Sequence, residues 1–161
     1  VTRTDEAAPI RTVAAVLRDA RGRVLLVRKR GTRVFIQPGG KREAGESSLD
    51  TLARELGEEL GIGFDPAAAL RLGEFEDAAV HEPGRRVRAE VFLVTSADLP
   101  QAGAEIEALA WVDPGATGDV PIAPLSSRWI LPAVARHAAA EALPGACVAG
   151  ASVDPQDAKA P

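Results

Sequence analysis

The sequence predicts an α+β fold, a sandwich in which a sheet is covered by helices. Three observations predict it. Five segments, 12–17, 23–30, 70–75, 86–94 and 106–112, are rich in apolar and β-branched residues and most are bounded by turn-forming residues. Only two segments, 48–60 and about 126–143, have helical composition, too few to alternate with the strands as a doubly wound sheet requires. A chain of 161 residues that is 46% hydrophobic can build one core without external staples.

The elements follow in order. Segments 12–17 (TVAAVL) and 23–30 (RVLLVRKR) flank the turn-forming run Asp-Ala-Arg-Gly at 19–22, so a β-hairpin is expected. Phe35 and Ile36 then lead into Gln37-Pro38-Gly39-Gly40. Proline and paired glycines there should stop regular structure and let the backbone approach a ligand closely. A helix is expected over 48–60, opened by Ser47 and Asp50 as an S-x-x-D start signal and closed by Gly61. Strands 70–75, 86–94 and 106–112 come next, the second set off by the turn-like run at 81–84. In the last helix Pro132 should either introduce a kink or mark the true start. Residues 1–9 and 144–161 are expected to be flexible, leaving 10–143 as the domain.

Composition excludes some functions. A net charge of −4 argues against a polynucleotide partner bound by a basic surface. The single cysteine, Cys147, cannot form an internal disulfide or a cysteine-rich zinc site, which suits a reducing cytoplasm. No stretch approaches the roughly 18 apolar residues of a membrane span, and no secretory leader is visible, so a cytoplasmic location without membrane contact is expected. His81 and His137 lack metal-ligand spacing, and Cys147 has no helper histidine in a local pattern. Phe35, Phe75, Phe92, Trp111 and Trp129 read as core candidates, with Phe35 the best placed to stack on a base.

The first helix raises the chemical question. Leu49, Leu52, Ala53, Leu56 and Leu60 form one apolar stripe, and Glu55, Glu58 and Glu59 lie to one side of it. Like charges at i,i+4 cost an isolated helix roughly 0.2–0.5 kcal/mol per pair. Gly57 costs about 1 kcal/mol more relative to alanine. A hard divalent cation, Mg²⁺ or Mn²⁺, would turn that repulsion into shared coordination, and magnesium commonly binds one or two carboxylates together with substrate phosphates. Arg54 and Lys41-Arg42 supply positive charge nearby for a glutamate or a phosphate. Arg28 and Arg30, at period two on their strand, could steer phosphates, with Lys29 pointing away.

From Gly40 to Ile62 the pattern is G-x5-E-x7-R-E-L-x-E-E-x-G-I, with Glu46, Arg54, Glu55, Leu56, Glu58, Glu59 and Gly61 in place. It resembles the signature box of the Nudix hydrolases at every defined position; outside the box the likeness is looser and covers roughly residues 10–140. The resemblance implies an α/β/α sandwich with a mixed sheet and a Mg²⁺- or Mn²⁺-dependent hydrolase of a diphosphate bond. By position, Glu55, Glu58 and Glu59 would hold metal with the Gly39 carbonyl, while Glu46 and Arg54 would support the loop and orient Glu55. The general base varies in the family, so Glu55 and Glu105 both stand. Substrate-contacting candidates are Arg28, Arg30, Lys41 and Phe35.

Subgroup markers for ADP-ribose, NADH and dinucleoside polyphosphate enzymes are absent here. The favoured substrate is therefore a nucleoside triphosphate or similar small nucleotide, as for a MutT-like house-cleaning pyrophosphohydrolase. An ADP-ribose or nucleoside diphosphate-sugar pyrophosphatase is the alternative, and a non-catalytic nucleotide-sensing domain is a third reading. Relatives are commonly dimers, so a homodimer is open.

Overall fold

The computed structural model describes residues 7–143. The expected tail, 144–161, and the sole cysteine within it lie outside the described residues. The strands are β1 (Ile10–Leu17), β2 (Val24–Lys29), β3 (Gly39–Lys41), β4 (Leu70–Ala78), β5 (Arg86–Val94) and β6 (Ile106–Val112); the α-helices are α1 (Ser48–Leu60) and α2 (Leu131–Glu141). A mixed four-stranded sheet has the order β3-β1-β5-β4, with β1 parallel to β5 and the other pairs antiparallel; β2 and β6 form a separate antiparallel pair.

The expected hairpin does not form. Asp19 does close a turn, accepting from the backbone N–H groups of Arg21 (2.9 Å) and Arg23 (2.8 Å), with Gly22 at φ 78°. A single bridge, Arg18 to Val24, follows it, and then β1 and β2 part into different sheets. The reason is visible in both strands. Residues 13–17 and 24–27 are buried without alternation, as befits interior strands covered on two faces rather than a half-exposed hairpin. A second difference is that Gly39–Lys41 is not irregular. It pairs with β1, with Val13 opposite Gly40, because glycine at φ 145° lets the backbone pass where a Cβ on Gly39 would strike the Val13 carbonyl.

Side-chain alternation in β1 and β2 divides the core in two. Val13, Ala15 and Leu17 with Leu25 and Val27 pack against Leu52, Leu56 and Leu60 of α1. Ala14 and Val16 with Val24 and Leu26 pack on the other face against Ile130, Leu131 and Val134. The sheets are therefore the filling between two helices. The three α1 leucines are fully buried, at roughly 1.5–3 kcal/mol each, which outweighs the helix's glycine and its like charges.

Helix α1 begins with a reciprocal capping box between Ser47 and Asp50 and ends at Gly61 in the left-handed conformation. Its buried face takes in Thr51, whereas Ala53, expected on the apolar stripe, is exposed. Pro132 falls in the first turn of α2, directly after a π-helical segment, Leu125–Ile130, so it marks a start and no α-helical hydrogen bond is lost to it. Trp129 is not a core residue. It is 48% exposed, and its indole N–H donates to Asp77 Oδ2 at 3.0 Å, tying that segment to the end of β4.

Candidate active site

Arg54 organises the acidic helix. Its Nε donates to Glu46 Oε1 at 2.7 Å, Nη2 to Glu46 Oε2 at 3.1 Å and to the Lys41 carbonyl at 3.1 Å, and Nη1 to Glu55 Oε1 at 2.8 Å. Glu58 Oε2 lies 3.7 Å from the same guanidinium. One cation thus joins the loop after β3 to two of the helix's carboxylates, in the forked geometry that arginine alone supplies. Glu46 also accepts from Thr51 Oγ1 at 2.7 Å and from the Glu43 N–H at 3.0 Å. The Arg54 hydrogen bond first, then those two, hold its carboxyl down at about 2.

The carboxylates do not simply converge. Glu58 is largely exposed, Glu55 faces Arg54 and Gly40, and Glu59 is buried at 3% exposure beneath the loop. Glu59 Oε2 accepts from the Gly39 N–H at 3.1 Å, and Lys29 Nζ stands 3.6 Å from Oε1, an oxygen without a hydrogen-bond partner. Burial pushes the Glu59 carboxyl up to about 7, against the Gly39 hydrogen bond and the Lys29 charge. Among the described residues no three acidic or histidine side chains are already gathered as a metal cage. Cations relieve the repulsion that the sequence pattern assigned to a metal: Arg54 on one side and Lys29 on the other.

The glycines set how closely the loop and helix approach. A Cβ on Gly40 would collide with the Glu55 carboxylate. A Cβ on Gly103 would collide with the Glu58 carbonyl, because the segment before β6 lies against the end of α1. Gly103 N–H and Gln101 N–H donate there to the carbonyls of Glu59 (2.7 Å) and Leu60 (3.0 Å), which a helix terminus otherwise leaves unpaired. That docking carries Glu105 to the site.

A cavity of about 760 Å³, of the size that holds a small ligand, opens beside these groups. Glu55, Glu58, Arg54, Gly39, Lys41 and Glu105 line it, as does Arg30. Two expected substrate contacts are elsewhere. Arg28 pairs with Glu107 at 2.9 Å and lies 5.8 Å over the Phe35 ring, on the α2 side of the sheets, and Phe35 packs into the core there. The orientation expected of this strand thus holds for Arg30 but not for its neighbours: Lys29 faces the site, following Leu25 and Val27 at period two, while Arg28 does not. The alternation of β2 did not announce it, because residues 24–27 are apolar on both faces. Also missed were His81, Gln37 and Ser126, which line the cavity from the β4–β5 turn, the loop before β3 and the π-helical segment. No local motif marks them.

The NUDIX domain family model matches residues 8–131. A MutT NUDIX hydrolase from Burkholderia pseudomallei superposes with a TM-score of 0.66 at 26% identity, covering 79% of this chain and 98% of that one. The ORF135 protein of E. coli gives 0.64 at 26% identity, covering 91% and 100%. A curated relative, an octanoyltransferase of Myxococcus xanthus, is 40% identical over 122 residues, 69% of this chain; the chain spans about a third of that protein, 33% of its length. Because the family match runs from β1 to the first residue of α2 and encloses the Arg54-bridged helix, the chain belongs to the Nudix family.

Proposed function

We propose that the protein hydrolyses a diphosphate bond in a nucleoside triphosphate, with Mg²⁺ or Mn²⁺. One observation carries this reading: a single cavity joins the charged surface of α1 and the loop at Gly39–Lys41 to an uncharged wall on the α2 side, where Ala89, Ala123 and Ile130 lie. Phosphates suit the first part and a base the second.

The residues present fit a hard divalent ion. Glu59 Oε1 is a buried oxygen without a hydrogen-bond partner, and the absent side chain of Gly40 leaves Glu55 its place against the loop. Glu55, Glu58 and Glu59 with the Gly39 carbonyl would hold the ion, which when bound supplies charge neutralisation on phosphate and a lower pKa for attacking water. Arg54 orients Glu55 and keeps Glu46 ionised. Lys29, Arg30 and Lys41 bind phosphate oxygens and hold the chain in line for attack. Glu105 takes the proton from water, because it reaches the cavity from outside the helix while Glu55 is committed to Arg54 at 2.8 Å.

A panel of nucleoside triphosphates, ADP-ribose and nucleoside diphosphate sugars, incubated with each metal and resolved by chromatography, tests the reading. Monophosphate plus pyrophosphate from a triphosphate is the expected result. Two monophosphate products from ADP-ribose or a sugar nucleotide alone move the substrate to the alternative class, and no turnover with either metal refutes catalysis. Glu105→Gln should lower kcat strongly with KM little changed; an unchanged kcat returns the base role to Glu55.

A further inference from the structure

We propose that Gln37 determines base specificity by accepting a hydrogen bond from the exocyclic amino group of a nucleobase such as cytosine or adenine. The inference rests on the nucleotide reading above and deepens it.

Gln37 lines the cavity, yet it is only 6% exposed. Its Nε2 donates to the Ala15 carbonyl at 3.4 Å, and its Oε1 is buried with no partner. A carbonyl oxygen can only accept, so the amide cannot turn over without setting two acceptors against each other. The side chain, part of the cavity lining, therefore holds its acceptor in one orientation. An unsatisfied buried acceptor is costly in the free protein, and a ligand that brings a donor removes that cost.

The backbone around Gln37 is pinned on both sides. Ile36 exchanges two hydrogen bonds with Val27 of β2, at 2.8 and 2.9 Å, and the Pro38 carbonyl accepts from the Ala15 N–H of β1 at 2.9 Å. The amide thus sits where the two sheets meet, preorganised rather than adaptable.

The surroundings select the kind of donor. On the α2 side the cavity wall includes Ala14, Ala89 and Ile130, and Ala78, Ala123 and the buried Ser126 also line it. Small apolar side chains leave room for a flat ring and offer little to a sugar's hydroxyl groups. The phosphate chain carries no donor at neutral pH. An amino-bearing base meets the Gln37 oxygen with a donor; a keto base sets an oxygen against it.

The test compares nucleotide pairs that differ at one amino or keto position, CTP against UTP and ATP against inosine triphosphate, in wild type and in Gln37→Met. The expected wild-type kcat/KM favours the amino member by about tenfold or more in at least one pair. In Gln37→Met that ratio should fall to within about threefold of unity, by loss on the amino member, with the melting temperature little changed. A wild-type ratio near unity in both pairs overturns the proposal without reference to any variant. An unchanged ratio in Gln37→Met, or equal loss on both members, assigns Gln37 a structural role and also overturns it. A preference that follows ribose against 2′-deoxyribose instead of the base overturns it as well. Turnover of triphosphates without base preference leaves the hydrolase reading intact; no turnover of any of the four refutes both.

Discussion

Replacing Glu59 by glutamine should move stability and activity in opposite directions at alkaline pH. In the metal-free protein the Glu59 carboxyl rises from an ordinary 4.5 to about 7, chiefly by burial. That difference corresponds to roughly 3 kcal/mol of folding free energy lost once the group is ionised, as an upper bound. The folded state holds this proton more tightly than the unfolded chain, so the wild type keeps its full stability below about pH 4.5. It loses stability as the pH climbs to about 7 and no more beyond that. Glutamine does not titrate. Its oxygen can take over the Gly39 hydrogen bond, but its NH2 then faces Lys29 Nζ, at a cost of about 1–2 kcal/mol. Glu59→Gln should therefore melt below wild type at pH 4.5 and above it at pH 8, by about 1–2 kcal/mol, or roughly 2–8 °C. Melts in EDTA across that range measure it, alongside turnover with Mg²⁺ or Mn²⁺, which should fall by orders of magnitude. Added metal should raise the melting temperature of wild type and not of the variant. A variant destabilised equally at both pH values, or near wild-type turnover, would refute the reasoning.

Gly40→Ala should fold, because the flexible end of Glu55 can yield to the new methyl, but kcat should drop at least tenfold as that carboxylate shifts; circular dichroism melts and initial rates separate the two effects. Gly57 is exposed, with open space around a Cβ, so Gly57→Ala should stabilise α1 by about 0.5–1 kcal/mol, seen as a melting point a few degrees higher with activity retained. Asp77→Asn should weaken the tie between β4 and the π-helical segment by about 1 kcal/mol at neutral pH, reported by Trp129 fluorescence in a urea titration. Burial works to raise the Asp77 carboxyl, but the Ala78 N–H, the Trp129 indole and Arg128 outweigh it and hold it below 3.8. Its stabilisation is thus present above that value and is lost as the pH falls through the lower folded one, so the difference between wild type and variant should vanish in strong acid.

Helix α1 was legible to the residue, from its capping box to Gly61, because helix boundaries depend on hydrogen bonds within a few residues of each other. Strands β5 and β6 were legible for a similar reason, being flanked by turn-forming residues. Strand pairing was not. The turn at Asp19–Arg23 is real, yet β1 and β2 separate because each is buried on both faces, and which strand lies beside which depends on partners 77 to 88 residues away. The same limit applies to the site. The spacing of Glu55, Glu58 and Glu59 announced a charged helix face and the chemistry it suits, while Lys29, Gln37 and His81 carry no local pattern.

The sequence by itself determined the family, the acidic helix and the glycines at the loop, since these follow from residue type and spacing along one stretch of chain. Only the tertiary structure decided that Glu59 is buried while Glu58 is open to solvent, that Lys29 rather than Arg28 turns inward, and that Glu105 and Gln37 share one cavity with Lys29 and Glu58. Burial and facing are set by what packs from elsewhere, and that is a property of the assembled layers.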